Sequence, residues 1–135
     1  QLEQRYRDAV ETLLPVAITD TSGGRAAAQV LLSAYNGNEF HLDVTDLGNL
    51  DTRLFAAALE VIQLRTLANR EPHELVANGN GRFLQVWEKW RCLHVSCRYR
   101  KGIWNDLLKA LEKHSFSNHD YAKAAKVIRK EMEAM

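Results

Sequence analysis

Residues 51–69 read DTRLFAAALEVIQLRTLAN, and the reading of this stretch decides the fold. Leu54, Phe55, Ala58, Leu59, Val61, Ile62, Leu64 and Leu67 recur at the spacing of an α-helix. Arg53, Glu60, Gln63 and Arg70 mark only a narrow polar stripe. Apolar side chains around nearly the whole circumference predict a helix buried on most sides, so 52–69 is expected to be the central helix. Asp51 is placed to cap it, and Leu50 with Phe55 to staple its first turn.

Toward the N-terminus, Leu2, Tyr6, Ala9, Val10 and Leu13 form one helical face, which Pro15 is expected to end or kink. The turn cluster 19–24 precedes a run of good helix formers, 25–35. Asn36-Gly37-Asn38 stops that run, with Gly37 or an Asn expected in a left-handed C-cap. Phe40, Leu42 and Val44 then alternate with polar residues, the period of a short strand. Toward the C-terminus, Glu71-Pro72 opens a helical turn and Asn78-Gly79-Asn80-Gly81 reads as a break. Phe83, Val86, Trp87 and Trp90 share a helical face. Leu93, Val95, Cys97 and Tyr99 alternate, as a second strand would, although nothing before Gly102 forbids the helix from continuing. Two such strands, 39–45 and 93–100, would place Glu39 and Asp43 against Arg98 and Arg100.

Trp104, Leu107, Leu108 and Leu111 form a stripe on a further helix. Ser117-Asn118-His119-Asp120 approximates a capping box for a last helix with Tyr121, Ala124, Ala125, Ile128, Met132 and Met135 on one face. The expected architecture is mainly α: a multi-helix single domain over 1–135, with 91–135 as a basic helical extension packed on it.

Charge is unevenly distributed along the chain. Residues 1–80 hold 6 Arg, no Lys and 11 Asp/Glu; residues 81–135 hold 12 Lys/Arg and 6 Asp/Glu. A total near neutrality thus conceals an acidic front and a basic back, which points to a partner or to an internal electrostatic seam. The cationic residues free to meet a partner are expected to be Arg98, Arg100, Lys101, Lys123, Lys126, Arg129 and Lys130. With hydrophobic residues at 46% and charged residues at 26%, the chain reads as globular and not disordered. No apolar run approaches the roughly 18–20 residues of a membrane span, and the polar N-terminus is no secretory signal. Two cysteines are too few for a disulfide framework, so a cytoplasmic location and no membrane partner are expected.

Catalytic motifs are lacking. Gly79-x-Gly81 does not complete a dinucleotide fingerprint, and Asp43, Asp46 and Asp51 lack the ligand pattern of a calcium loop. Cys92, Cys97, His114 and His119 follow the order of a zinc site, but the first spacing is long for one. The competing assignment has Cys97 facing the core, Cys92 as a free thiol and His114 at a helix C-terminus. An enzyme would need His73, Cys92 or His94 to converge in a cleft. No cofactor is expected.

Leu31-Leu32, Tyr35-Asn36, Phe40 with Asp43, Thr45-Asp46-Leu47, Leu50-Asp51, His73-Glu74, Asn78-Gly79 and Trp87 with Trp90 together give residues 24–90 another meaning. This stretch resembles an uncharacterised proteobacterial family carried on plasmids and integrative elements. The tail from Arg91 departs from that pattern, whose members end near the tryptophans. The resemblance implies a small accessory protein of a mobile element and supplies no catalytic residue. Binding to another protein is the function expected, with nucleic-acid binding through the basic half as the alternative and a zinc or Cys/His enzyme as the third. Oligomeric state is left open.

Overall fold

The computed structural model describes residues 1–114 and 118–134, and its elements are helical throughout. Two compact units divide the chain, Gln1–His94 and Val95–Met135.

The first unit is built on three helices. Helix α1, Leu2–Ala17, buries Tyr6, Ala9, Val10, Leu13, Leu14 and Ala17 along one face. Pro15 does not end it. The residue lies on the solvent side, near the end of the helix, so its missing N–H and its ring burden only the Glu11 carbonyl. Helix α2, Ser22–Tyr35, starts three residues earlier than expected, because the Thr21 hydroxyl accepts the Gly24 N–H at 2.9 Å. Helix α3, Thr52–Leu67, is capped as the sequence indicated: the Asp51 carboxylate accepts the Leu54 N–H at 2.8 Å.

The order of burial differs from the expectation. Helix α2 is the central one, with every residue from Ala26 to Leu32 buried, while α3 buries only Leu54, Ala57, Ala58, Val61 and Leu64. Three consecutive alanines, Ala26 to Ala28, keep α2 thin and leave room for α1 and α3 to close on it. The expected left-handed cap after α2 is absent, since Asn36 is extended; the positive-φ residues are Asn69, just past α3, and Asn78.

The proposed strand pair reduces to one isolated antiparallel bridge, Phe40 with His94. The two segments do meet, but their backbone donors are committed elsewhere. The Glu39 and Phe40 N–H groups bond the Asn36 carbonyl, and the His94 N–H bonds Arg91. The Asp43 N–H donates to Oε1 of Gln29 at 2.8 Å, and Gln29 in turn donates to Asp46 at 2.6 Å. That buried glutamine draws the chain into a 3-10 turn, Val44–Asn49, in place of a ladder. Glu39 meets His94, at 3.8 Å.

A short turn, Pro72–Leu75, is closed by a reciprocal capping box between Glu71 and Glu74. The glycine-rich run 78–81 is not a break but the first turn of α4, Gly79–Lys89. Only glycine fits at 79, since a Cβ there would lie 1.7 Å from the His73 carbonyl oxygen. Trp90 ends α4 and donates its indole N–H to the Ala17 carbonyl at 2.6 Å, tying this end of the unit to α1.

The second unit comprises α5 (Val95–Arg98), α6 (Arg100–Lys113) and α7 (His119–Glu133). Neither reading of 93–100 holds over its whole length: a 3-10 turn, Arg91–Leu93, separates α4 from α5. Helix α7 is capped by Asn118, which accepts the Asp120 N–H at 2.9 Å; Ser117 and Met135 of the expected cap and stripe lie outside the described residues. Ala125 and Ile128 are buried here, Trp104, Leu108 and Leu111 are half-buried, and Leu107 faces outward. Arg129 of α7 pairs with Glu112 of α6.

Candidate functional site

Helix α3 is apolar on two sides, and α1 and α2 cover only one of them. The other side leaves Phe55 39%, Leu59 46% and Ile62 42% exposed, at the i, i+4, i+7 spacing of a single stripe. Thr66 continues this stripe, which carries no charged residue; Ala56, Gln63 and Leu67 flank it in the column of Glu60, whose carboxylate is engaged by Arg5. A solvent-facing helix surface without charge is unusual for a water-exposed side and typical of an interface centre.

Beside the stripe the 3-10 turn adds a second wall. Val44, 72% exposed, stands at the rim of a groove of about 570 Å³, with Leu47, Leu50, Phe55 and Leu59 in its lining. Leu50 and Phe55, expected to staple the start of α3, line this same groove. The Gln29 hydrogen bonds that draw out the 3-10 turn place Val44, and the Asp51 cap sets where α3, and so Phe55, begins. The chemistry available is burial of apolar area against a matching surface.

The electrostatics around this site are self-contained. The Arg5 guanidinium holds both oxygens of Glu60, at 2.7 and 2.9 Å, which pulls the carboxyl below its ordinary range and raises Arg5. Arg82 grips Glu11 with two bonds of 2.9 Å, hydrogen bonding that raises the guanidinium's own pKa. Arg70 meets Glu3 at 2.9 Å, Lys89 meets Asp20 at 3.1 Å and Arg25 meets Asp46 at 3.5 Å. Five acidic residues of the front half are thus matched by cations of their own unit. The uneven charge of the sequence follows the two units: Gln1–His94 holds nine Lys/Arg and twelve Asp/Glu, Val95–Met135 nine and five.

The cationic residues singled out from the sequence fall into groups. Lys123, Lys126 and Lys130 are exposed along one face of α7, and Arg100 and Lys101 are exposed at the start of α6. Arg98 is half-buried, with its guanidinium 5.8 Å from the Tyr99 ring centre, and Arg129 is engaged by Glu112. Cys92 and Cys97 are both exposed free thiols, so Cys97 does not face the core. His114 caps the C-terminus of α6 and His119 opens α7. Among the described residues no three His, Cys, Asp or Glu side chains are grouped to hold a metal ion. His73 packs edge-on against Tyr35, ring centres 5.0 Å apart, while His94 packs against Phe40 and Trp87 at 5.4 and 6.4 Å. Among the described residues no helix is long and apolar enough to cross a membrane.

Sequence reasoning did not find the α3 face. The signal was present in the narrowness of the polar stripe, which marks a helix with two apolar contacts as well as one that is buried. No curated protein and no solved structure matches the chain. A family profile does match, over residues 7–91, reaching through most of α1 and so further toward the N-terminus than the resemblance read over 24–90. The matched span lies within the first unit and contains the whole groove. The chain therefore belongs to DUF7673, a family of unknown function.

Proposed function

We propose that this protein is a small non-enzymatic accessory or regulatory factor that acts by binding another protein, through the uncharged face of α3 and the groove beside it. The observation that carries the reading is the exposed stripe of Phe55, Leu59 and Ile62 next to Val44, in a unit whose other surfaces carry ion pairs. The partner presents an apolar, charge-poor surface, because a charged one would be desolvated there without a counterion. Taken with the resemblance to plasmid-borne proteobacterial proteins, the setting is the bacterial cytoplasm and the complex served is that of a mobile element or its host.

The test is affinity capture from a bacterial host with the wild type and with Leu59→Arg, after nuclease treatment. Capture of a defined protein by the wild type, lost in a variant whose circular dichroism is unchanged, supports the reading. Equal capture by both refutes it.

Nucleic-acid binding is the second reading, favoured by the exposed row Lys123, Lys126 and Lys130 together with Arg100 and Lys101. It requires a salt-dependent shift of labelled DNA or RNA that charge reversal of the three lysines abolishes; no shift at low salt removes it.

A further inference from the structure

A second feature of the first unit is independent of the α3 face. Where the end of α2 meets α4, a hollow of about 510 Å³ opens, within the range of small-ligand sites. Three aromatic side chains line it: Tyr35, from the last turn of α2, and Phe83 and Trp87, one turn apart on α4. The Tyr35 and Phe83 rings are in contact, centres 5.8 Å apart and tilted by 39°. The polar lining consists of Asn36, Asn80 and Glu39, and among the described residues no lysine or arginine lines the hollow.

This composition selects among ligand classes. An anion would meet the Glu39 carboxylate, whose neighbour His94 at 3.8 Å lies outside the lining, and no lysine or arginine among the described lining residues would hold it. A wholly apolar ligand would strip water from two amides and a carboxylate and return no hydrogen bond. An organic cation suits this lining: the aromatic rings attract positive charge and Glu39 neutralises it, and a guanidinium or protonated amine can in addition donate N–H groups to the amide oxygens. The excess of acidic residues in this unit draws cations toward it. We propose that this hollow is a binding site for an organic cation, an alkylammonium or guanidinium group, held among Tyr35, Phe83 and Trp87 and paired with Glu39.

Such a group arrives either as a free small molecule or as a lysine or arginine side chain of another protein, and the experiment separates the two. The full chain is titrated with tetramethylammonium chloride and with guanidinium chloride at low, non-denaturing concentration, following amide NMR shifts, with sodium chloride at equal ionic strength as control. A saturable response confined to the end of α2 and to α4, weakened about tenfold or more by Glu39→Gln and by Trp87→Leu, is expected. Thermal melts show whether each variant is folded; Glu39 is nearly half exposed, so its amide variant retains the fold. A response equal to that of sodium, or unchanged in a folded Glu39→Gln protein, overturns the proposal. In a second arm, a short peptide carrying trimethyl-lysine or arginine is compared with the free cation. Tighter binding of the peptide identifies a side chain as the ligand, and equal binding identifies a small molecule.

Discussion

At the scale of single residues, a few polar atoms inside the first unit do work that composition does not reveal. The Tyr6 side chain is wholly buried and donates its hydroxyl to the Arg70 carbonyl at 2.9 Å. Burial pushes its pKa from 10.0 up to about 12. The unfolded chain therefore loses this proton first as pH rises. Stability is intact below about pH 10 and falls through pH 12, by about 2–3 kcal/mol in all. Tyr6→Phe is expected to lower stability by about 1–2 kcal/mol at neutral pH and to remove this part of the alkaline loss, as urea titrations from pH 7 to 11.5 would show. Gly79 offers a steric test. Gly79→Ala drives a Cβ into the His73 carbonyl and is expected to cost about 2–4 kcal/mol. Gly102→Ala meets nothing within 4 Å in a helical turn of α6 and is expected to raise the helicity of its unit. If both substitutions act alike, the close approach at 79 is not what requires glycine.

At the scale of elements, the local rules held where they concerned neighbours within one turn. Asp51 caps α3, and the Glu71 and Glu74 pair closes its turn. They failed where a distant group competed. Period two over 39–45 is a true alternation, yet the Gln29 side chain claims the Asp43 N–H and no ladder forms. Pro15 shows that a breaker on the solvent side of a last turn leaves the helix running. Its cost is still present: Pro15→Ala restores an N–H to the Glu11 carbonyl and is expected to stabilise the protein by about 1 kcal/mol, read as a higher melting temperature. A lower melting temperature would mean that the proline ring packs as well as breaks.

At the scale of the whole molecule, the two units are unequal. The first has a contiguous core running from Tyr6 to Leu93, whereas the second buries only Ala125 and Ile128 among its described residues. A fragment of residues 1–94 is expected to unfold cooperatively in urea with most of its helical signal. The peptide 95–135 alone is expected to be largely unfolded, since short helices without a buried face are marginal in water. Cooperative unfolding of that peptide would contradict this.

By itself the sequence determined a mainly helical chain, the position of most helices, the Asp51 cap of α3 and the division of charge between front and back. These depend on residues within a turn of one another, or on simple counts. Tertiary structure alone decided which helix is central. Every residue of α2 from Ala26 to Leu32 is covered by its neighbours, whereas α3, richer in large apolar side chains, turns one face to solvent. It also decided that Tyr35, Phe83 and Trp87 meet around one hollow, and that Arg129 is taken by Glu112 while Lys123, Lys126 and Lys130 stay exposed. Periodicity states how many sides of a helix are apolar; only the competition of all elements for one core settles which side is covered.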